Sequence, residues 1–365
     1  MIMRLIYKFF LSKRFLSAIF VIFCIIFVVF SPIIIFNKEN YSLNLNKYLA
    51  EKDIEKVVLT MYHIETFEGG TASRAKYLEQ EGINFNKIHK NCFIVIKTLS
   101  PDSLALNIQN KNLPDMFSFG CGVGNILAGF LSSLDKNSSI RSDLLPYCYF
   151  NDKILSYPYI LSGYALITHS TLSKQNNIES NLSSSIQNKK KIYGLVSSNG
   201  YTNTLKTLEQ NSIPIKRDNL VMLETQYEAY ENFINKKSVS LLGSARDIAR
   251  CKNRERNGKL DPLYYTYLGG FSDLVQYVGV VDGKDETKLM YSKLFASYLL
   301  SPSSQKNLSN YGLFSINGQK IYENGDFMSD FEDILLSPLT SSSAYISQKN
   351  VEENRKTTFN KVCLT

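Results

Sequence analysis

Alternating short apolar runs and amphipathic segments predict an α/β protein with a parallel sheet, placed behind one membrane-spanning helix. Three observations carry this. Residues 57–119 read β-α-β-α-β, with short apolar runs separated by helical patterns. Residues 15–36 form an uncharged stretch of 22 residues. Of the 365 residues 44% are hydrophobic and 20% charged, the balance of a chain that folds around a core, long enough for two domains.

The span comes first. As a helix, 22 residues reach about 33 Å, enough to cross a bilayer. Arg4, Lys8, Lys13 and Arg14 precede it with no acid among them, which places residues 1–14 in the cytoplasm and the bulk of the chain outside the cell membrane. Pro32 stands among bulky isoleucines and no small-residue cleavage site follows, so the span reads as an uncleaved signal-anchor rather than a cleaved signal. Cys24 follows Val21-Ile22-Phe23 in mid-span, where a lipid attachment site does not belong. Residues 37–56, polar and charged, make a stalk.

The run 57–62 is a first buried strand. After Gly69-Gly70, Thr71 or Ser73 caps a helix with Tyr77, Leu78, Phe85 and Ile88 on one face. A second strand spans 93–96. Ser100-Pro101 is an N-cap with proline in the first turn of a helix ending near Asn110, and 116–119 is a third strand. Later strands are expected at 164–168, 192–196, 239–242 and 275–281. Tyr227, Tyr230, Phe233 and Ile234 mark one later helix, and Met290, Leu294, Phe295 and Tyr298 another. The polar stretches 171–190 and 336–350 read as exposed connections.

Composition excludes several functions. Net charge is +8, but the first fourteen residues hold four of the 41 basic side chains, leaving 37 against 33 acids. That is too even for a nucleic-acid partner. Three histidines and no tryptophan give no basis for a histidine-rich metal site, and no cofactor is expected. Beyond the span lie Cys92, Cys121, Cys148, Cys251 and Cys363. An odd number without C-x-x-C spacing is no complete disulfide framework; one or two bridges are open, and small buried hydrophobes are the simpler reading.

Polar, glycine-bearing clusters stand at strand ends, where ligands bind open parallel sheets. They are His63 to Arg74, Ser118 to Asn125, Tyr157 to Tyr164, Leu242 to Asp247 and Leu268 to Asp273. Gly120-x-Gly122-x-Gly124 lacks the dinucleotide spacing. His63-x-Glu65 has no P-C-x-x-C after it to make a zinc deaminase. Glu65 and Glu68 have no fixed partner carboxylate for glycoside hydrolysis, and no G-x-S-x-G elbow occurs.

The ordered series His63 to Arg74, Leu113 to Gly120, Tyr157 to Thr168, Leu242 to Asp247 and Leu268 to Tyr277 resembles the extracellular solute-binding proteins of ABC importers. The segment Leu294-Phe295-Ala296-Ser297-Tyr298-Leu299-Leu300-Ser301, with Gln305 to Leu308 after it, is similar to theirs. The resemblance covers about residues 57–320. It implies a type II periplasmic-binding-protein fold, a two-lobed clamshell behind the membrane helix. It also implies lobe 1 at 57–160, lobe 2 at 161–276, a lobe 1 return at 277–310, a lobe 2 return at 311–345 and a tail at 346–365.

The implied function is capture of a small polar solute, a sugar or oligosaccharide first, for delivery to a membrane permease. The implied protein is no enzyme and acts as a monomer. Candidate ligand contacts are Glu65, Thr66 and Phe67, Ser118 and Gly120, Tyr164 at the crossing, and Arg246, Asp247 and Asp273 from lobe 2. Carboxylates and arginine suit charge-assisted bonds to hydroxyls or a ligand charge, and Phe67 supplies an apolar wall. Two departures stand out: no lipid-attachment motif, and no tryptophan for sugar stacking, which leaves the 23 tyrosines and 22 phenylalanines. A membrane-anchored sensor or adaptor and a cell-wall glycan hydrolase remain as alternative readings.

Overall fold

The structure, a computed structural model, describes residues 56–175, 185–187 and 190–364. The apolar span and residues 37–55 of the stalk lie outside the described residues. Among those described, no helix is long and apolar enough to cross a membrane.

Two sheets carry the fold. The first takes strands β1 (Val57–Ile64), β2 (Cys92–Leu99), β3 (Met116–Phe119) and β4 (Tyr157–Leu161). The second takes β5 (Tyr164–His169), β6 (Ser185–Gln187), β7 (Lys190–Ser198), β8 (Leu220–Leu223), β9 (Ser238–Ser244) and β10 (Leu263–Leu268). A further strand, β11 (Val275–Val280), returns to the first sheet. The strand orders are β2-β1-β3-β11-β4 and β8-β7-β9-β5-β10. Each sheet is thus three parallel strands followed by an antiparallel strand that the other half of the chain sends across. The expected C-terminal limit of lobe 2, residue 276, falls inside β11, whose Val275 pairs with Leu161 of the first sheet.

Helices pack the sheets as the apolar positions require. In lobe 1, α1 (Arg74–Ile88) and α2 (Pro101–Gln109) lie against β2. Tyr77, Leu78 and Phe85 of α1 are buried, whereas Ile88, counted on the same face, is 64% exposed at the frayed end. Ser100 caps α2 as its sequence predicts, its hydroxyl accepting from the Ser103 amide. In lobe 2, α3 (Leu205–Gln210) precedes α4 (Gln226–Ile234), which lies against β7 and β9, and α5 (Ala245–Arg256), which lies against β9 and β5. The chain then adds α6 (Glu286–Tyr298) against β1 and β11 and α7 (Pro302–Asn307) in lobe 1. It returns to lobe 2 for α8 (Phe327–Leu336) against β10. Within the stretch expected as a C-terminal tail, α9 (Gln348–Val362) packs on α3 and buries Val351, Arg355, Thr358 and Val362.

The crossings run side by side. Ser162 donates its amide to Leu274 O at 2.8 Å, and Ser272 Oγ donates to Ser162 O at 2.6 Å. Phe314 pairs with Leu161 as the third segment passes. Gly163 sits against Phe331 and Leu335, where a Cβ would approach within 2.7 Å of Leu335 Cδ2. The five described cysteines are all buried and unpaired, so they serve as small core hydrophobes.

Candidate functional site

A cleft of about 460 Å³ opens between the lobes. Lobe 1 supplies the segment 65–74 that follows β1. Lobe 2 supplies Gly200, Tyr201 and Thr202 after β7, Glu224 to Tyr227 after β8, and Arg246 at the start of α5. These are the carboxyl ends of parallel strands and the helix N-termini beyond them, where backbone donors face solvent. A larger groove of about 580 Å³ lies between the end of β7 and α9, walled by lobe 2 alone. The interlobe cleft is the site because both halves build it.

Its floor is Arg74, the first residue of α1. The residue is 4% exposed, and its guanidinium carbon lies 4.0 Å from the centre of the Phe67 ring. It donates to Gln276 Oε1 at 2.9 Å and to the Phe67 carbonyl. Burial lowers its pKa to about 10, against the opposing pull of Tyr159, Glu65 and Glu68. Behind it runs a buried polar chain. Gln276 Nε2 donates to Ser118 Oγ at 2.9 Å, and Ser118 shares hydrogen bonds with Tyr159 Oη at 2.7 Å and His63 Nδ1 at 2.8 Å. Burial, then the Arg74 charge, holds His63 well below the usual histidine range, so the ring is neutral.

The rim carries contacts between lobes. Arg250 of α5 pairs with Glu68 of lobe 1 and, at 3.5 Å, with Asp247. Arg246 Nη1 reaches Gly70 O at 3.5 Å, and Gln226 Oε1 accepts from the Glu68 amide. The lobes therefore already touch across the cleft mouth.

Of the nine residues singled out from the sequence, four line this cleft: Glu65, Thr66, Phe67 and Arg246. Gly120 stands behind them, and a Cβ on it would meet Thr66 Oγ1 at 2.2 Å. The other four are structural. Ser118 belongs to the buried chain behind Arg74. Tyr164 is fully buried and donates to Asp273 Oδ1 at 2.6 Å; the other Asp273 oxygen accepts from the Asn203 amide at 2.6 Å. These two bind the crossings together without reaching the cleft. Asp247 closes a capping box with Ser244 at the start of α5 and is 1% exposed. Arg74, Tyr201, Thr202, Glu224, Thr225, Gln226 and Tyr227 were not singled out. Most of them follow β8 and open α4, and the Thr225-x-x-Glu228 capping box was the signal that marks that turn. Among the described residues no group of three or more His, Cys, Asp or Glu is placed to hold a metal ion.

No protein-family profile and no curated protein matches the sequence. Solved structures do match the fold. One is an ABC substrate-binding protein from Listeria monocytogenes in complex with cycloalternan, at 13% identity and TM-score 0.54, covering 84% of this chain and 99% of that one. The GacH receptor of Streptomyces glaucescens, determined unliganded and with acarbose, matches at 13% identity and TM-score 0.58 over 84% of this chain and 94% of its own. Iron-bound HitA from Pseudomonas aeruginosa matches at 13% identity and TM-score 0.55 over 84% and 100%. The chain has the two-lobed type II periplasmic-binding-protein fold. Neighbours holding sugars and iron alike mark a fold that hosts many ligands, so the ligand must be argued from the cleft.

Proposed function

We propose that this protein is the substrate-binding component of an ABC importer, capturing a small polar solute between its lobes. The observation that carries the reading is a cleft with walls from both lobes and three chain crossings beside each other behind it. Such a site binds by closing: a guest touching both walls stabilises the closed state by its extra contacts there. A volume near 460 Å³ is of the size that small-solute sites have. Sugar- and oligosaccharide-binding neighbours support a carbohydrate ligand, with Tyr201 and Tyr227 as the aromatic faces in place of tryptophan. In this reading the protein binds without catalysis and works as a monomer. Residues 15–36 tether it to the outer face of the cell membrane beside the permease that receives the solute.

Calorimetric titration of the purified full chain against mono- and oligosaccharides tests the proposal. A saturable heat at unit stoichiometry, lost on Arg246→Ala, is expected, together with loss of uptake of the same solute in cells lacking the protein. Binding with unimpaired uptake would instead make the protein a sensor or adaptor. Product release without retained ligand would make it a hydrolase.

A further inference from the structure

We infer that the cleft takes an anionic solute, a sugar acid or sugar phosphate, whose carboxylate or phosphate docks on Arg74 and Arg246. The inference rests on the solute-binding reading and narrows its substrate class.

Arg74 is the reason. A buried guanidinium is costly unless an anion accompanies it, and Arg74 is buried. Every ion pair of the described residues lies elsewhere: no carboxylate comes within 4.0 Å of Arg74, whose partners are a neutral amide, a carbonyl and a phenyl face. The nearby acids reach it only through space. The buried chain Gln276–Ser118–Tyr159–His63 is equally uncharged, since the histidine is neutral, and it holds the fork rigidly instead of neutralising it. Arg74 nevertheless forms part of the cleft wall.

A second observation is independent of it. Thr66, 7% exposed and on the same wall, has a hydroxyl with no hydrogen-bond partner. Gly120 leaves the space that this hydroxyl occupies. A guanidinium carries five N–H groups, so Arg74 keeps donors beyond those spent on Gln276 and Phe67, and with Arg246 across the cleft these suit the oxygens of a carboxylate or phosphate.

Acids are present too, and burial decides between them. Glu68 is committed to Arg250. Glu65 and Glu224 are exposed at the mouth, where water screens their charge. Arg74, in low dielectric at the floor, acts far more strongly on a guest than they do. Glu65 and Glu224 are left to accept from the hydroxyls of the same solute.

The test is calorimetric titration of the full chain with matched pairs: D-glucuronate against D-glucose, glucose phosphate against glucose, and trigalacturonate against maltotriose, with inorganic phosphate as a separate arm. At least one anionic member should bind on the order of 10- to 100-fold more tightly than its neutral counterpart, the equivalent of one charge-assisted bond pair. The ratio should shrink as salt rises. Carboxylate and phosphate sources separate by which pair shows the preference. Arg74→Gln should bring the ratio near unity; should that variant not fold, Arg246→Gln reads the same ratio from a half-exposed position. Neutral members that bind as well as or better than the anionic ones overturn this inference and leave the solute-binding reading standing. Binding by neither class overturns both.

Discussion

Gly120 shows how tightly the cleft floor is set. Gly120→Ala puts a methyl at 2.2 Å from Thr66 Oγ1 and about 3.2 Å from the Phe67 ring, so Thr66 must turn away. Denaturant unfolding should report a loss of about 1–3 kcal/mol, the usual cost of overpacking, and solute affinity should fall with it; an unchanged midpoint would mean the floor yields freely. Asp247 makes a prediction with a pH sign. Burial pushes its carboxyl up to about 6, against the Ser244 amide and Arg250, which favour the charged form. A carboxyl that keeps its proton to higher pH when folded favours the native chain in acid. That contribution is complete below the ordinary value of 3.8 and is lost as pH rises through about 6. Relative to Asp247→Asn, the wild type should therefore lose on the order of 3 kcal/mol between pH 4 and 7, read by urea unfolding across that range. His63 works in the opposite sense. Held neutral when folded, it takes up a proton on unfolding, so stability should fall as pH drops below its ordinary 6.5, and His63→Gln should flatten that slope. Residue types alone suggested Asp247 and Asp273 as ligand contacts. A carboxylate spent on a helix cap or a buried tyrosine has the same one-letter code as one facing a guest, and only the fold separates them.

At the scale of elements, apolar runs marked seven of the strands and missed β4, β6, β8 and β10. β1, β2, β3, β5, β7, β9 and β11 follow from short apolar runs in the chain. β10, reading Leu263-Tyr264-Tyr265-Thr266-Tyr267-Leu268, is an edge strand with Tyr264 53% exposed, and its alternation was masked by continuous aromatics. β4 contains Pro158, which argues against a strand unless it lies at a sheet edge, where it does lie. α9 has few apolar residues because it buries one narrow stripe, and Arg355 fills part of it by donating to the carbonyls of Gly200 and Thr202. α5 went unread, although its Ser244-x-x-Asp247 box is a helix-start signal in the sequence. Its Arg250 also supplies a prediction, because the Glu68–Arg250 pair ties α5 to the opposite lobe. The pair is partly exposed, so a double-mutant cycle of Glu68→Gln and Arg250→Gln should give a coupling of only about 0.5–1 kcal/mol. The same variants should release bound solute faster, measured by stopped-flow dissociation, since a contact that bridges the two lobes at the rim opposes their opening. A coupling of zero with unchanged release would show that the pair plays no part in closure.

For the whole molecule, the resemblance in the ordered glycine-bearing clusters anticipated the architecture better than any single motif did. Two sheets with the same internal order, each receiving one antiparallel strand from the other half, are what three adjacent crossings require. What stayed illegible was which residues of each cluster look into the gap. That depends on loops whose backbone direction is set by tertiary packing, such as the turn that brings Arg74 beneath Phe67. Gly163 tests the crossing itself. Gly163→Ala would force a methyl to 2.7 Å from Leu335 and 2.8 Å from Phe331, and small-angle scattering of that variant should show a chain that no longer contracts on binding solute. The central claim is capture of a small molecule between lobes, and native mass spectrometry of the gently purified full chain addresses it most directly. The account predicts one small polar adduct per chain, released on denaturation and absent from Thr66→Ala/Arg246→Ala. A chain that carries nothing and takes up nothing from a solute panel, or an adduct that survives in that double variant, would contradict it.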